Sequence, residues 1–290
     1  MPRSCTFIVN PLSGGFSPSR VMEAISALKK MGLDPRLVEA KEPEEAVHCS
    51  RGICREEEYP FIIVGAGDGT INSVVNGLSP GTATLAVIPF GTANVLAREV
   101  GITSISMALE RIAAGSSRPV SVGVMEKDGT ERRFLLMAGA GNDGEVVKGV
   151  RAPEKRLLHK GAYLLSALRL FFAWETGRLR VVSESGGIDC HSVIVCNAAK
   201  YGGEFVVAPR VSIFEPGFRV ICVVDGTRMA FLRLALRLLW NKGLEGDGVS
   251  VFDALDVTIH GAKPVQADGD YYCNAPVRVR SLEACFRLVV

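Results

Sequence analysis

Residues 61–70 have the sequence Phe61-Ile62-Ile63-Val64-Gly65-Ala66-Gly67-Asp68-Gly69-Thr70. The first four residues form a continuous apolar run, which predicts a buried β-strand. After the glycine-rich part, apolar residues return at helical spacing between residues 71 and 78. A strand, a glycine-rich turn and a helix in this order can bind phosphate, because glycines let the backbone approach an anion and the helix N-terminus offers free N–H groups.

Asp68 is unexpected in a phosphate-binding turn. Its carboxylate would repel bound phosphates unless it held Mg²⁺ or a proton, so its presence favours a nucleotide–metal site over a plain anion site. The chain contains no Gly-Lys pair, which excludes the phosphate loop of P-loop NTPases. On the glycine run alone, a tight structural turn with an Asp-Gly step remains an equal alternative.

Strands and helices alternate on both sides of this stretch. Apolar runs at Thr6–Asn10, Leu37-Val38 and Leu85–Ile88 predict further strands, and apolar residues at helical spacing between 21 and 28 predict a helix. Repeated units of strand, turn and helix imply a parallel sheet with helices on both faces. Residues 1–117 are therefore predicted to form an α/β domain.

The pattern changes near residues 115–117, and residues 118–290 are predicted to form a second domain, a β-sandwich. Its predicted strands are Val120–Val124, Phe134–Ala138, Leu179–Val182, Val193–Cys196, Phe218–Val224, Val257–Ile259, Val277–Val279 and Phe286–Val290. Two helices are predicted among them, around residues 160–175 and 228–242, and the last strand is expected to return to the first domain. The functional site is expected in the cleft between the domains.

The composition excludes several classes of protein. A hydrophobic fraction of 48% is enough for a large core, and a net charge of +2 gives no basis for a nucleic-acid partner. Eight cysteines without zinc-ligand spacing predict reduced core thiols. The N-terminal apolar run is too short for a signal peptide, and no run reaches the roughly 18 apolar residues of a membrane span. We therefore expect a cytoplasmic protein that meets a membrane only at its surface.

Four segments resemble the diacylglycerol kinase catalytic family, which includes bacterial lipid kinases and sphingosine kinases. Residues 66–72, Ala-Gly-Asp-Gly-Thr-Ile-Asn, resemble the family's Gly-Gly-Asp-Gly-Thr motif. Asn10–Gly15 is similar to its N-terminal turn, Pro89–Arg98 to its second phosphate-side loop, and Ala267–Asp270 to its C-terminal Asp-Gly-Glu. The segments occur in the family's order and together span nearly the whole chain.

The resemblance implies a Rossmann-like N-terminal domain of the NAD kinase/diacylglycerol kinase type, a β-sandwich lipid-binding domain, and Mg-ATP between them. The implied activity is transfer of the γ-phosphate of ATP to a hydroxyl group of diacylglycerol or a related lipid. The residues implied to contact the nucleotide or support its loops are Asn10, Pro11, Ser13, Gly14, Gly65, Ala66, Gly67, Asp68, Gly69, Thr70, Asn72, Gly91, Thr92 and Asn94.

Asp268 and Asp270 lie in the segment that resembles the family's Asp-Gly-Glu, where the proposed general base is found. From the local sequence alone, an Asp-Gly turn is the preferred interpretation. In an extended segment the two side chains would point the same way. The resemblance implies that Asp268 and Asp270 are the catalytic carboxylates, although Asp270 is one methylene shorter than Glu.

Four positions depart from the family pattern. Ala66 replaces a glycine, while Ser73 and Val95 stand where many members have Glu and Asp. Glu215 replaces an aspartate that helps to hold a structural Mg²⁺ in bacterial members, so Asp68 and Glu215 are the candidate metal ligands. These departures leave open the alternative that the chain is a catalytically degenerate relative, which binds nucleotide or lipid without transferring phosphate. NAD kinase, which is similar at the glycine-rich turn, is a second alternative.

A second glycine run, Gly139 to Gly144, fits a dinucleotide-binding pattern. It lacks the acidic residue expected about 20 positions later, so NAD binding is not expected. We expect Gly139 and Gly141 to permit a turn, and the resemblance implies that Asn142 and Asp143 line the acceptor pocket.

Two predicted helices, residues 159–174 and 229–240, combine an apolar stripe with terminal tryptophans, and the second also carries Arg228, Arg233, Arg237 and Lys242. A basic amphipathic helix can lie on an anionic membrane surface. Packing of the stripe on the sandwich is nevertheless the preferred interpretation. The expected partner is a lipid substrate at the membrane surface, and the sequence makes no prediction of oligomeric state.

Overall fold

The computed structural model describes residues 3–141, 144–145, 177–201, 205–240 and 242–290. The chain divides into two compact units, the first formed by residues 1–121 with 283–290 and the second by residues 122–282. The boundary predicted at 117/118 falls close to this division. The predicted helix near 160–175 and the acceptor-pocket residues Asn142 and Asp143 lie outside the described residues.

The first unit alternates strands with helices. Its elements are β1 (Arg3–Val9), α1 (Pro18–Lys30), β2 (Leu33–Glu39), α2 (Pro43–Glu56), β3 (Phe61–Ala66), α3 (Asp68–Gly77), β4 (Thr84–Pro89), α4 (Val95–Glu99) and α5 (Ile105–Ala114). The four strands are parallel in the order β2-β1-β3-β4. All six residues of β3 are buried, which is why that strand is continuously apolar. The predicted α/β domain is confirmed.

Helix α2 has no clear signal in the sequence. Its buried residues are only Ala46, Ser50 and Ile53, so the helix carries no long apolar stripe. Its start is held instead by Glu45, whose carboxylate accepts hydrogen bonds from the N–H groups of Lys41 and Glu42 and whose pKa is lowered by these bonds. The helix therefore depends on capping and on packing against α3.

The second unit consists mainly of antiparallel strands. The remaining elements are β5 (Ser117–Lys127), β6 (Thr130–Phe134), β7 (Met137–Ala140), β8 (Leu179–Ser183), β9 (Gly186–Cys190), β10 (Ser192–Cys196), β11 (Lys200–Tyr201), β12 (Phe205–Val206), β13 (Phe218–Val223), α6 (Arg228–Leu239), β14 (Val249–Ala254), β15 (Asp256–His260), β16 (Pro264–Ala267), β17 (Asp270–Asn274) and β18 (Val277–Val289).

Two antiparallel layers form the second unit. One sheet has the strand order β14-β13-β10-β7-β16-β17, and the other layer contains β15, β8 and β9 beside the first half of β18. Residues from both layers, among them Val193, Val220, Val257 and Val279, form one buried cluster. The predicted β-sandwich is confirmed.

Strand β18 joins what the sequence predicted as two strands. Its residues 277–280 pair antiparallel with β15, while Arg287 and Leu288 pair parallel with β4 of the first unit. By contrast, the single strand predicted at Phe134–Ala138 is divided between β6 and β7. The residues between them, Leu135 and Leu136, have hydrogen-bond partners outside the ladder.

The second glycine run forms a strand end. Gly139 and Ala140 belong to β7, and Gly141 has a φ of +87°. A Cβ on Gly141 would lie 2.7 Å from the carbonyl oxygen of His191. Glycine is therefore required here by the backbone and its neighbours.

All eight cysteines are free thiols, as the sequence predicted. Five are buried, and desolvation raises the pKa of the Cys5 thiol to about 11. None of the helices in the described part of the chain has the length and apolar character needed to span a bilayer.

Candidate functional site

Three loops of the first unit follow neighbouring parallel strands. Loop A (residues 10–15) follows β1, loop B (residues 65–70) covers the end of β3 and the start of α3, and loop C (residues 89–94) follows β4. Because the strands run in the order β1-β3-β4, the three loops meet at the carboxyl edge of the sheet. This edge is where open α/β sheets bind their ligands.

Backbone and side-chain hydrogen bonds join loop A to the other two loops. The Asn10 side-chain amide donates to the Thr70 hydroxyl at 2.9 Å, and the Asn10 N–H donates to the Gly65 carbonyl at 3.4 Å. The Gly15 N–H donates to the Phe90 carbonyl at 2.8 Å. The loops that the sequence linked by resemblance are therefore in direct contact.

Glycines allow the backbones of these loops to approach closely. A Cβ on Gly91 would lie 2.5 Å from the Gly67 Cα, and a Cβ on Gly14 would lie 2.7 Å from the Thr92 hydroxyl oxygen. Both distances are shorter than atoms tolerate. The Cβ on Gly91 would meet backbone, so Gly91 is a packing glycine whatever ligand the loops bind, whereas the Cβ on Gly14 would meet only the end of a side chain.

Asp68 has a role that the sequence did not reveal. Its two carboxylate oxygens accept hydrogen bonds from the N–H groups of Val95 and Leu96, each at 3.0 Å. These are the first two residues of α4, whose own N-cap, Asn94, makes no side-chain cap. Asp68 thus caps a helix that begins 27 residues later. This contact accounts for a carboxylate in the glycine-rich turn. Asp68 by itself is therefore not evidence for a bound metal.

Asn94 and Asn72, both predicted to contact the nucleotide or support its loops, make hydrogen bonds within loop C and within α3. Asn94 has a φ of +50°, and its side chain bonds to both the N–H and the carbonyl of Gly91, each at 2.8 Å. Asn72 is only 4% exposed, and its backbone carbonyl and side-chain oxygen accept bonds from the Asn76 amide. Ala66 lies in β3 without a left-handed φ, so the backbone accepts alanine at this position.

The start of α3 can accept an anion. Gly67 is its N-cap, and the first-turn N–H groups of a helix have no partner within the helix. A Cβ on Gly69 would meet nothing within 4 Å. There is therefore room beside Gly69 in the first turn of α3, and a helix N-terminus suits a phosphate group.

Substitution by alanine is expected to have opposite effects at Gly91 and at Gly69. We expect Gly91→Ala to lower the free energy of unfolding by about 1–3 kcal/mol, because its Cβ overpacks loop B. Gly69→Ala is expected to leave stability unchanged or slightly higher while weakening ATP binding, because its Cβ enters the space in front of α3. Urea unfolding and ATP titration calorimetry measure the two effects. Equal stability of the two variants would contradict this division of roles.

Two arginines near the loops were not singled out from the sequence. The Arg20 guanidinium donates to the Gly15 carbonyl and that of Arg98 to the Ala93 carbonyl, both at 3.1 Å. Arg98 belongs to the segment that resembles the family's second loop, which could have drawn attention to it. Both residues place positive charge beside loops A and C.

In the second unit, Asp268 and Gly269 form the turn of a hairpin. They connect β16 to β17, with Ala267 opposite Asp270, and their φ angles are +48° and +84°. Two successive positive φ values are typical of a type I′ turn. The segment is therefore a turn, as the local sequence favoured, and the extended backbone also considered is wrong.

The Asp268 carboxylate binds a neighbouring segment of backbone. It accepts hydrogen bonds from the N–H groups of Leu135, Leu136 and Met137 at 2.7, 2.9 and 3.0 Å. The fully buried Asn197 holds the same segment from another strand end, since its amide donates to the Leu135 carbonyl at 2.7 Å. These bonds explain why the chain leaves the ladder between β6 and β7.

Asp270 lies in a different environment. Its side chain is 45% exposed and lies 3.6 Å from the Arg132 guanidinium. Arg132 lies on the neighbouring hairpin and approaches the Tyr272 ring, at 5.9 Å from the ring centre. Of the two predicted catalytic carboxylates, Asp268 accepts bonds from three backbone N–H groups, whereas Asp270 has a partly exposed side chain beside an arginine.

Glu215 lines a cavity of about 520 Å³ together with Arg210, Arg219 and Asp253. The Arg219 guanidinium already binds Asp253 through two hydrogen bonds of 3.0 and 3.1 Å. Within the described ranges, no three His, Cys, Asp or Glu side chains are grouped as metal ligands. The metal ligands Asp68 and Glu215 therefore remain predictions.

Models of known protein families match both units. Residues 4–125 match the family model of the diacylglycerol kinase catalytic domain, and residues 137–290 match that of the YegS C-terminal NAD kinase beta sandwich-like domain. The first match contains loops A, B and C, and the second contains the Asp268 hairpin.

Individual relatives align along almost the whole chain. The diacylglycerol kinase of Bacillus subtilis is 26% identical over 275 residues, which cover 91% of this chain and 88% of that protein. The diacylglycerol kinase of Mycobacterium tuberculosis is 26% identical over 298 residues, covering 98% and 94%. A crystal structure of a diacylglycerol kinase from Bacillus anthracis has the same fold, with a TM-score of 0.75 at 22% identity, covering 99% and 96% of the two chains.

Proposed function

Because the chain belongs to the diacylglycerol kinase catalytic-domain family of lipid kinases, we propose that it transfers the γ-phosphate of ATP to a lipid hydroxyl, with diacylglycerol as the acceptor of first choice. The observation that supports this best is the arrangement of loops A, B and C around the start of α3. Asp68 and Asn10 hold that arrangement through bonds of 2.9 to 3.0 Å.

The first unit is proposed to bind the donor. The first-turn N–H groups of α3 receive a phosphate group, and Gly69 leaves room for it. Arg20 and Arg98 supply positive charge at the neighbouring loops. Pro11 and Ser13 belong to loop A, and Thr92 belongs to loop C. This arrangement would position the triphosphate and lower the electrostatic cost of the transfer.

Asp68 is the proposed ligand for Mg²⁺, which enters with the nucleotide. One carboxylate together with substrate phosphates is an ordinary environment for Mg²⁺, and a carboxylate that accepts two N–H bonds keeps lone pairs for a cation. The metal would neutralise charge that develops on the phosphates. Val95, which replaces the family's aspartate, is buried and points to a site with a single protein carboxylate.

The second unit is proposed to supply the proton acceptor. Asp268 and Asp270 are the candidates, and their environments differ. Asp268 is oriented by three backbone N–H groups, whereas Asp270 is exposed beside Arg132. We assign proton acceptance to Asp270 and positioning of the β6–β7 segment to Asp268.

A transfer assay tests the proposed function directly. With ATP labelled in the γ-phosphate, we expect label to pass into diacylglycerol or another fraction of a lipid extract. EDTA should abolish the transfer and added Mg²⁺ should restore it. NAD is included as a competing acceptor, and NADP as the product would identify a NAD kinase. Binding of ATP without transfer to any acceptor would identify a catalytically degenerate relative.

A further inference from the structure

The inner face of helix α6 packs against the rest of the second unit. Leu234 and Leu238, four residues apart, pack against a buried cluster that includes Val207, Ile221 and Leu244. Ala230, one turn earlier, is 4% exposed. This face attaches the helix to the second unit, whereas Leu232 and Leu236, which the sequence placed on the packing stripe, lie elsewhere on the helix.

The outer face of α6 is also apolar. Met229, Leu232, Leu236 and Trp240 are 63%, 40%, 39% and 66% exposed. With about 3.6 residues per turn, these four positions lie on one side of the helix, opposite Leu234 and Leu238. A surface helix normally carries polar residues there. Four large apolar side chains in this place need a partner other than water.

All charged residues within the helix that carries this face are basic. Residues 228–242 contain three arginines and one lysine and no acidic residue. Arg233 is exposed on the apolar side, and the Lys242 ammonium lies 5.9 Å from the centre of the exposed Trp240 ring. Asp225, which precedes the helix, offsets part of this positive charge. The pKa of its carboxyl group is lowered mainly by a hydrogen bond from the Thr227 N–H, with a smaller effect of Arg233.

We infer that the outer face of α6 is a docking surface for an anionic phospholipid bilayer. Met229, Leu232, Leu236 and Trp240 enter the boundary between headgroups and acyl chains, while Arg233 and Lys242 meet lipid phosphates. A second copy of the chain fits this face less well, because a two-fold contact would bring the same basic residues together. The inference deepens the proposed function and rests on it for the lipid nature of the substrate.

Vesicle flotation with the full chain tests the docking surface. The chain is expected to bind vesicles of phosphatidylglycerol and phosphatidylcholine, and to bind pure phosphatidylcholine more weakly. Met229→Ser and Trp240→Ser should each lower affinity for the anionic vesicles about tenfold, since each removes a side chain that enters the bilayer. Met22→Ser is the matched control, because Met22 is 61% exposed on α1. It should bind like the unmodified chain.

A second measurement separates docking from catalysis. The variants should retain phosphorylation of a water-dispersed short-chain diacylglycerol and lose it on vesicles. If the chain phosphorylates no lipid but Met229→Ser still lowers vesicle binding, the proposed function fails and the docking surface stands. Equal vesicle binding by Met229→Ser and Met22→Ser would overturn the docking surface. So would dimers in sedimentation that Trp240→Ser dissociates.

Discussion

Replacement of Asp68 with alanine is expected to lower phosphoryl transfer by at least about 100-fold, a loss typical of removing one preorganised electrostatic group. The substitution removes the proposed Mg²⁺ ligand. It also leaves the N–H groups of Val95 and Leu96 without their acceptor, so the start of α4 loses its attachment to loop B. The free energy of unfolding should fall by about 1–3 kcal/mol. Steady-state kinetics and urea unfolding measure the two effects.

Asp68→Asn separates these two roles. The asparagine side chain offers one oxygen to the backbone donors but places an NH₂ group against the other, so it restores stability only in part. Asp34→Ala is a matched control, because Asp34 is exposed on β2 of the same unit. Nearly normal transfer by both Asp68 variants would remove Asp68 from the proposed site. Lost transfer with unchanged stability would show that the tether to α4 contributes little.

Replacement of Asp268 and Asp270 should have different effects. We expect Asp268→Ala to lower the free energy of unfolding by about 3 kcal/mol or more, because three backbone donors lose a charged acceptor. Asp270→Ala should change stability by less than about 1 kcal/mol, since its ion pair with Arg132 is partly exposed and 3.6 Å long. Both should lower transfer by about 100-fold or more, the first through misplacement and the second through loss of the proton acceptor.

One outcome would reverse the roles assigned to Asp268 and Asp270. Suppose Asp268→Ala is as stable as the unmodified chain but inactive, and Asp270→Ala is active. The proton acceptor would then be Asp268, and its three hydrogen bonds would serve to orient it. Arg132→Ala is a useful third variant, because it removes the neighbour of Asp270 without touching the backbone bonds of Asp268. Lower transfer by this variant at unchanged stability would support Asp270.

Much of the fold follows from local patterns. The continuous apolar runs of β1, β3 and β4 mark strands buried on both faces, and the glycines mark where those strands end. Helix α2 was missed because its buried side is short and partly polar, and the division between β6 and β7 was missed because Leu135 and Leu136 are as apolar as their neighbours. In both cases hydrogen bonds, and not hydrophobicity, set the boundary.

The sequence by itself determined the four parallel strands of the first unit, helices α1 and α3, the glycine-rich turn before α3 and the family resemblance. Each of these depends on side chains near one another in the chain. Only the tertiary structure decided what the two Asp-Gly steps do. Asp68 reaches backbone N–H groups 27 and 28 residues away, and Asp268 reaches N–H groups 131 to 133 residues away. Nearly every residue offers such a donor, so the partner of either carboxylate leaves no trace in the sequence.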